Sequence, residues 1–187
     1  MATTPRQRIA LAAVAAVVIA AGLALVLTNS HHGESGDTRG GDAAATSLGP
    51  QPDGADPATA AKYALAAMFS WQPAHDSDPG QGLTRATPWL TGELAAEATA
   101  TAPATGVRPL RDWAGWATAA DVVTALVTIT GTGAPEHGQC LVTAQVQQIV
   151  LHRNGTRDPT PWRLMTIAAS VSDTPAGWRL ANYRVTG

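Results

Sequence analysis

The sequence predicts an α+β domain, with helices on one face of a curved four-stranded antiparallel sheet. Two patterns predict it. Apolar residues recur at helical spacing up to about residue 98, and after Ala120 they recur at every second position. The loops between the alternating runs are short, which favours antiparallel neighbours. A third observation concerns what precedes the domain: a long apolar run, then a polar, glycine-rich stretch.

The run is residues 9–27. It holds no charged or strongly polar side chain. As a helix, its roughly 19 residues span about 28 Å, the thickness of a bilayer core. A helix also pairs its own backbone groups, as lipid demands. A cleaved signal peptide is the competing reading, but such peptides have a shorter apolar region and a small-residue cleavage site. The residues after Leu27, Thr28-Asn-Ser-His-His32, make a poor one. A buried core helix is disfavoured because the run is apolar all round and leads into a polar tail. Residues 9–27 are therefore expected to be a transmembrane helix in contact with lipid. Arg6 and Arg8 precede it, while Glu34, Asp37 and Asp42 outnumber Arg39 behind it. Positive flanks stay inside, so residues 1–8 are read as a cytoplasmic tail and the rest as extracytoplasmic.

Residues 28–56 are rich in Gly, Ser, Asp, Pro and Ala. They cannot bury enough surface to offset their ordering entropy, and read as a disordered linker. A flexible coil of that length spans about 30 Å end to end. His31 and His32 lie within it without further ligands, so no metal site is expected there.

The folded domain is read as residues 57–187. Asp56 is a good N-cap and Pro57 a good first helical residue. Ala61, Leu65, Met68 and Phe69 then form one stripe of a helix running to about Trp71, before Pro73. Residues 72–82 read as a turn-rich loop. Its Asp76-Ser-Asp78 lacks the remaining ligands of a calcium loop. A short helix starts at Thr87-Pro88 and buries Leu90, Leu94 and Ala98, until Pro103 and Gly106 break the pattern. Residues 109–118, with Trp113 and Trp116, fit a short helix or an irregular lead into a strand.

Four strands follow. Val123, Ala125, Val127 and Ile129 mark the first, and Cys140, Val142, Ala144 and Val146 the second. Asn154-Gly155 begins a turn. It matches a glycosylation acceptor with Thr156, but the turn is the simpler reading. Met165, Ile167, Ala169 and Val171 mark the third strand. The last runs from Trp178 to Val185, where Trp178 and Leu180 are out of phase with Tyr183 and Val185, as a bulge would produce. All six tryptophans lie in this domain and are expected to bridge helices and sheet.

Composition narrows the function. The 187 residues are 45% hydrophobic and 14% charged, against about 25% charged on average. The net charge of −2 argues against direct nucleic-acid binding by bulk electrostatics. The single cysteine, Cys140, excludes an internal disulfide and suits a buried, inert thiol. Gly131-Thr-Gly133 lacks the strand-to-helix context of a dinucleotide loop. Tyr63, His75, Asp112, Asp121, His137 and His152 are the titratable candidates for proton-transfer chemistry. Most fall in loops or at element ends, and the core-facing strand positions carry no acid. No catalytic residue, cofactor or metal is therefore assigned, and the chain reads as non-enzymatic.

Three phrases carry a resemblance: Ala64-Leu-Ala-Ala-Met-Phe-Ser-Trp71, Pro88-Trp-Leu-Thr-Gly-Glu-Leu94 and Ala176-Gly-Trp-Arg-Leu-Ala-Asn-Tyr-Arg-Val185. With the anchor and linker ahead of them, the layout resembles the membrane-anchored, cystatin-like cone domains of the nuclear-transport-factor-two-like superfamily. One such group is the single-pass assembly factors of type IV secretion and conjugation, including TcpC-like proteins. Another is the actinobacterial Mce-associated proteins. The resemblance implies an envelope interaction subunit with protein partners and self-assembly. The alternative it leaves is a small-ligand-binding domain with a conical pocket.

Overall fold

The computed structural model describes residues 50–100 and 110–187. The proposed tail, anchor, His31-His32 and linker up to residue 49 lie outside them. Among the described residues no helix is long and apolar enough to cross a membrane.

Helix α1, Pro57–Phe69, begins as the sequence indicates. Asp56 Oδ1 accepts from the Thr59 N–H at 2.8 Å, and Oδ2 from the Thr59 hydroxyl at 2.9 Å. Those bonds, the backbone one first, hold its carboxyl below the usual range. The buried face is Ala60, Ala61, Ala64, Leu65 and Met68. The helix stops at Phe69 rather than Trp71 because the next residues join the sheet. Trp71 exchanges two backbone bonds with Val123, at 2.8 and 3.0 Å, and Ser70 Oγ accepts from the Ala125 N–H at 3.0 Å.

The stretch read as a loop up to Gly82 contains the start of a further helix, α2, Gln81–Ala86. Gly80 and Gly82 look like breakers in sequence. Gly82 is instead a packing residue, since a Cβ there would collide with the Met68 carbonyl of α1. The helix predicted from Thr87 through Ala98 is two pieces. A 3₁₀ turn, Thr87–Trp89, ends where Leu90 bridges to Leu180 and the Thr91 N–H donates to the Leu180 carbonyl at 3.0 Å. Helix α3, Gly92–Thr99, then restarts with Gly92 at φ +61°. The stretch left open in sequence holds α4, Trp113–Ala119, closed by Ala120 in the left-handed region.

The sheet is a meander in the order β1-β2-β3-β4, every pair antiparallel. Its strands are β1 Val122–Thr132, β2 Gln139–Leu151, β3 Arg163–Thr174 and β4 Gly177–Val185. The expected inward positions are buried on β2 and β3. On β1 Val123 and Ala125 are buried, and Val127 and Ile129 half-buried. The bulge in β4 is present. Ser170 pairs with Asn182 and Val171 with Leu180, so Ala181 is the extra residue. It brings Leu180 and Tyr183 onto the same face despite their odd spacing.

Residues 50–56 differ from the linker reading. The Gly54 N–H donates to Ala176 at 3.0 Å, and the Trp178 N–H to Ala55 at 3.2 Å. Arg179, only 7% exposed, donates to the Pro52 carbonyl and pairs with Asp53 at 2.7 Å. A buried guanidinium needs such partners, so this segment packs on the β3–β4 turn although its composition looks like linker.

Gly177 sits at that turn with φ +108°, and a Cβ on it would lie 2.8 Å from the Gly54 nitrogen. Gly177→Ala is expected to destabilise the domain by about 1–3 kcal/mol. Urea unfolding followed by tryptophan fluorescence measures this.

Candidate functional site

Two features outside the core are the candidates for function: a cluster of titratable side chains at one end of the sheet, and the sheet's outer face.

The cluster centres on His152, just past β2. Its Nδ1 lies 3.1 Å from Asp121 Oδ1 and its Nε2 3.1 Å from Asp158 Oδ1. Asp121 reaches its place because Ala120 turns the chain out of α4, and its own N–H donates to Trp116 at 2.9 Å. Asp158 is brought back by the Asn154-Gly155 turn. Leu151 bridges to Arg157, and Asn154 Oδ1 accepts from the Thr156 N–H at 2.9 Å. Beside the cluster lie four tryptophans, which share a small core with Val123 and Val150. Trp162 meets Trp116 edge-on at 5.1 Å and Trp71 at 6.0 Å. Its Nε1 donates to Asp112 at 3.2 Å.

The sequence named Asp112, Asp121 and His152, and the structure gathers them at this end. It did not name Asp158, whose only signal is its position after the Asn-Gly turn. The other candidates lie apart. Tyr63 stacks on Trp89 at 5.2 Å, while His75 and His137 are exposed. Cys140 is buried and its Sγ lies 3.3 Å from the Gly133 carbonyl; burial pushes its thiol up. Asp76 and Asp78 spend their carboxylates on the Gln72 and Gly80 N–H groups, and Asp76 also pairs with Arg85. Among the described residues no group of three ligating side chains could hold a metal ion.

The chemistry of the cluster follows from its geometry. Hydrogen bonds to Asp121 and then Asp158 raise the His152 pKa above its ordinary 6.5. A protonated ring donates from both nitrogens. Neither nitrogen is then free to take a proton from a substrate. The arrangement fastens the start of β1, the end of β2 and the following loop to one another.

The outer face of the sheet has a different character. Positions 124–128 of β1, 141–149 of β2, 164–170 of β3 and 182–184 of β4 that point away from the core carry Thr, Gln, Ser, Asn, Ala, Leu and Ile. Arg184 is their one charge. Leu126 and Leu164 flank Gln147 in a single cross-strand row, 48% and 56% exposed. Leu141, 56% exposed, borders a groove of ≈ 210 Å³ with Ala168, Ser170, Asn182, Tyr183 and Arg184. The inner face is filled: Ala60, Ala61, Ala64 and Leu65 of α1 meet Val142, Ala144, Ile167 and Ala169 with no exposure.

No protein-family model matches the chain, and no curated protein sequence matches it. Solved structures similar to it include the Agrobacterium tumefaciens VirB8 protein. That likeness has 6% identity and TM-score 0.37, covering 68% of this chain and 87% of that one. A periplasmic fragment of TraM is similar at 14% identity and TM-score 0.39, over 68% and 93%. The intermembrane space region of the chloroplast protein ARC6 is similar at 17% and TM-score 0.37, over 70% and 96%.

The histidine bridge predicts a pH dependence. A raised folded pKa gives stability that is complete below the unfolded pKa and is lost as pH rises through the folded value. Thermal melts from pH 5.5 to 9 are expected to show a falling Tm for the native chain relative to His152→Gln. The difference between the two is largest below about pH 6.5.

Proposed function

We propose that this chain is a non-enzymatic, single-pass membrane protein whose outer domain is an interaction subunit of a conjugation- or secretion-type envelope complex. In this reading residues 1–8 are cytoplasmic, residues 9–27 cross the membrane, and a tether leads to the α+β domain outside. The observation that carries it is the uninterrupted apolar run of residues 9–27 in front of a domain with a broad, nearly uncharged outer sheet face. Exposed leucines on such a face suit contact with protein. The His152 cluster serves as a structural fastener, which supports a role without chemistry. The layout shared with conjugation assembly factors suggests the class of complex. Mce-associated proteins share that layout, and the genes beside this one separate the two.

Alkaline phosphatase fused at Gly187 is expected to be active in cells, and a fluorescent protein fused there to be dark. Crosslinking in intact cells is expected to trap the chain in species larger than a monomer. Leu164→Asp should reduce that yield while changing stability by no more than about 0.5 kcal/mol, as for an ordinary surface substitution. A cytoplasmic C-terminus, or a monomer that never crosslinks, would reject the proposal.

A further inference from the structure

The two edges of the sheet are finished differently. Along β4, the Trp178 N–H goes to Ala55, the Leu180 carbonyl accepts from Thr91, and the Tyr183 N–H is taken by Asn182 Oδ1 at 2.7 Å. Along β1 only the first half is closed. Val123 is paired with Trp71 in both directions, and the Ala125 N–H with Ser70 Oγ. An antiparallel ladder sends alternate residues to the same side. Val127 and Ile129 therefore also turn their N–H and C=O groups outward, and among the described residues nothing meets them. The open stretch ends at a bulge, where the register passes from Ile129↔Ala144 to Gly131↔Thr143.

Natural edge strands are commonly blunted by a charge or a proline. Strand β1 has neither between Val122 and Thr132. We infer that the open half of β1 is a self-pairing site, at which β1 of a second copy adds antiparallel across a two-fold axis and joins two four-stranded sheets into one of eight. The inference rests on the reading of the chain as an interaction subunit, and adds to its outer sheet face a second, self-pairing surface at the β1 edge.

The register follows from which groups are free. With the axis at Thr128, Val127 of each copy opposes Ile129 of the other. Both pairs are then of the hydrogen-bonded kind, and four bonds use the outward groups of all four residues. A register centred on Val127 would instead oppose Ile129 to Ala125, whose N–H is already taken by Ser70; with the axis at Thr128 only Gly131, past the bulge, stands opposite Ala125, so the shared ladder ends at those four bonds. With the axis at Thr128, the inner face gains two Val–Ile contacts beside half-buried side chains, and Thr128 meets Thr128 on the outer face. Cross-strand pairs of these types are favourable, and no like charges oppose. A two-fold axis satisfies both edges at once, as isologous interfaces do. The domain's nine positive and nine negative side chains add no net repulsion between copies.

Thr128 is exposed and contributes nothing to the core, so it can carry charge without harming the fold. In the paired state two Thr128 residues would stand about 4.5 Å apart at Cα. The test uses the full-length chain in mild detergent, followed by sedimentation and by amide hydrogen exchange. The native chain is expected to dimerise, with Val127 and Ile129 amides protected more strongly as concentration rises. Thr128→Lys and Thr128→Glu should each weaken dimerisation at least tenfold, with an unchanged melt at dilutions where the native chain is monomeric, and mixing them should restore dimerisation. Charged variants that dimerise like the native chain, or a mixture that does not recover, would overturn the inference. So would Val127 and Ile129 amides that exchange freely in the dimer; this readout decides alone if a variant fails to fold. A chain that assembles with those amides free removes the β1 site but leaves the interaction subunit standing. A chain that is monomeric in detergent and never crosslinks in cells removes both.

Discussion

Phe69, Ser70 and Trp71 hold helix and sheet in one geometry. The Phe69 carbonyl, at the end of α1, accepts at 2.7 Å from Gln148 Nε2, near the end of β2. Ser70 and Trp71 then finish the first half of the β1 edge, and Trp71 Nε1 returns to the Met68 carbonyl at 3.2 Å. A helix C-terminus leaves carbonyls without intrahelical partners, and burying them unpaired is costly. Here the sheet supplies the donor. Gln148 has no exposure, and its Oε1 has no protein partner among the described residues. Leaving such an acceptor unpaired costs about 1–3 kcal/mol. The same side chain thus pairs the end of α1 while bearing a polar atom with no protein bond.

That junction sets the spacing of the whole domain, and the alanines exploit it. Ala60, Ala61 and Ala64 on α1 face Ala144 and Ala169 on the sheet, all without exposure. Small side chains on both layers let backbone approach backbone, and the α1–α2 contact at Gly82 extends the same theme. A core of this kind buries little apolar area per residue. Leu65, Ile167 and Leu180 supply the bulk between the alanines, and most of the tryptophans form a separate cluster. Four tryptophans close the end beside His152, while Trp89 and Tyr63 stack near α2.

The sheet was legible in the sequence because a half-buried antiparallel strand must alternate. Even the phase error between Leu180 and Tyr183 pointed to the bulge at Ala181. The helical half was less legible. Leu90 and Thr91 leave their helix to dock on β4, a tertiary contact with no local signature. Gly82 looks like a breaker until the Met68 carbonyl above it is seen. At the candidate site, Asp121 and His152 were visible as titratable groups but not as a pair, since only the β1–β2 register joins them. Asp158 sits in a loop, where no periodicity reports. The segment from Pro52 to Ala55 has linker composition, yet buried Arg179 recruits it.

The Pro52–Ala55 contact also has a mechanical consequence. Tension arriving along the backbone from residue 50 does not reach α1 first. It is borne at the β3–β4 turn, by the Gly54–Ala176 and Ala55–Trp178 bonds and the Arg179 clamp on Pro52 and Asp53. Pulling on that end loads a short cluster of bonds at the sheet's margin before it can unwind the helix. The clamp therefore works as a strain relief, keeping force on the leading segment away from the alanine-lined core.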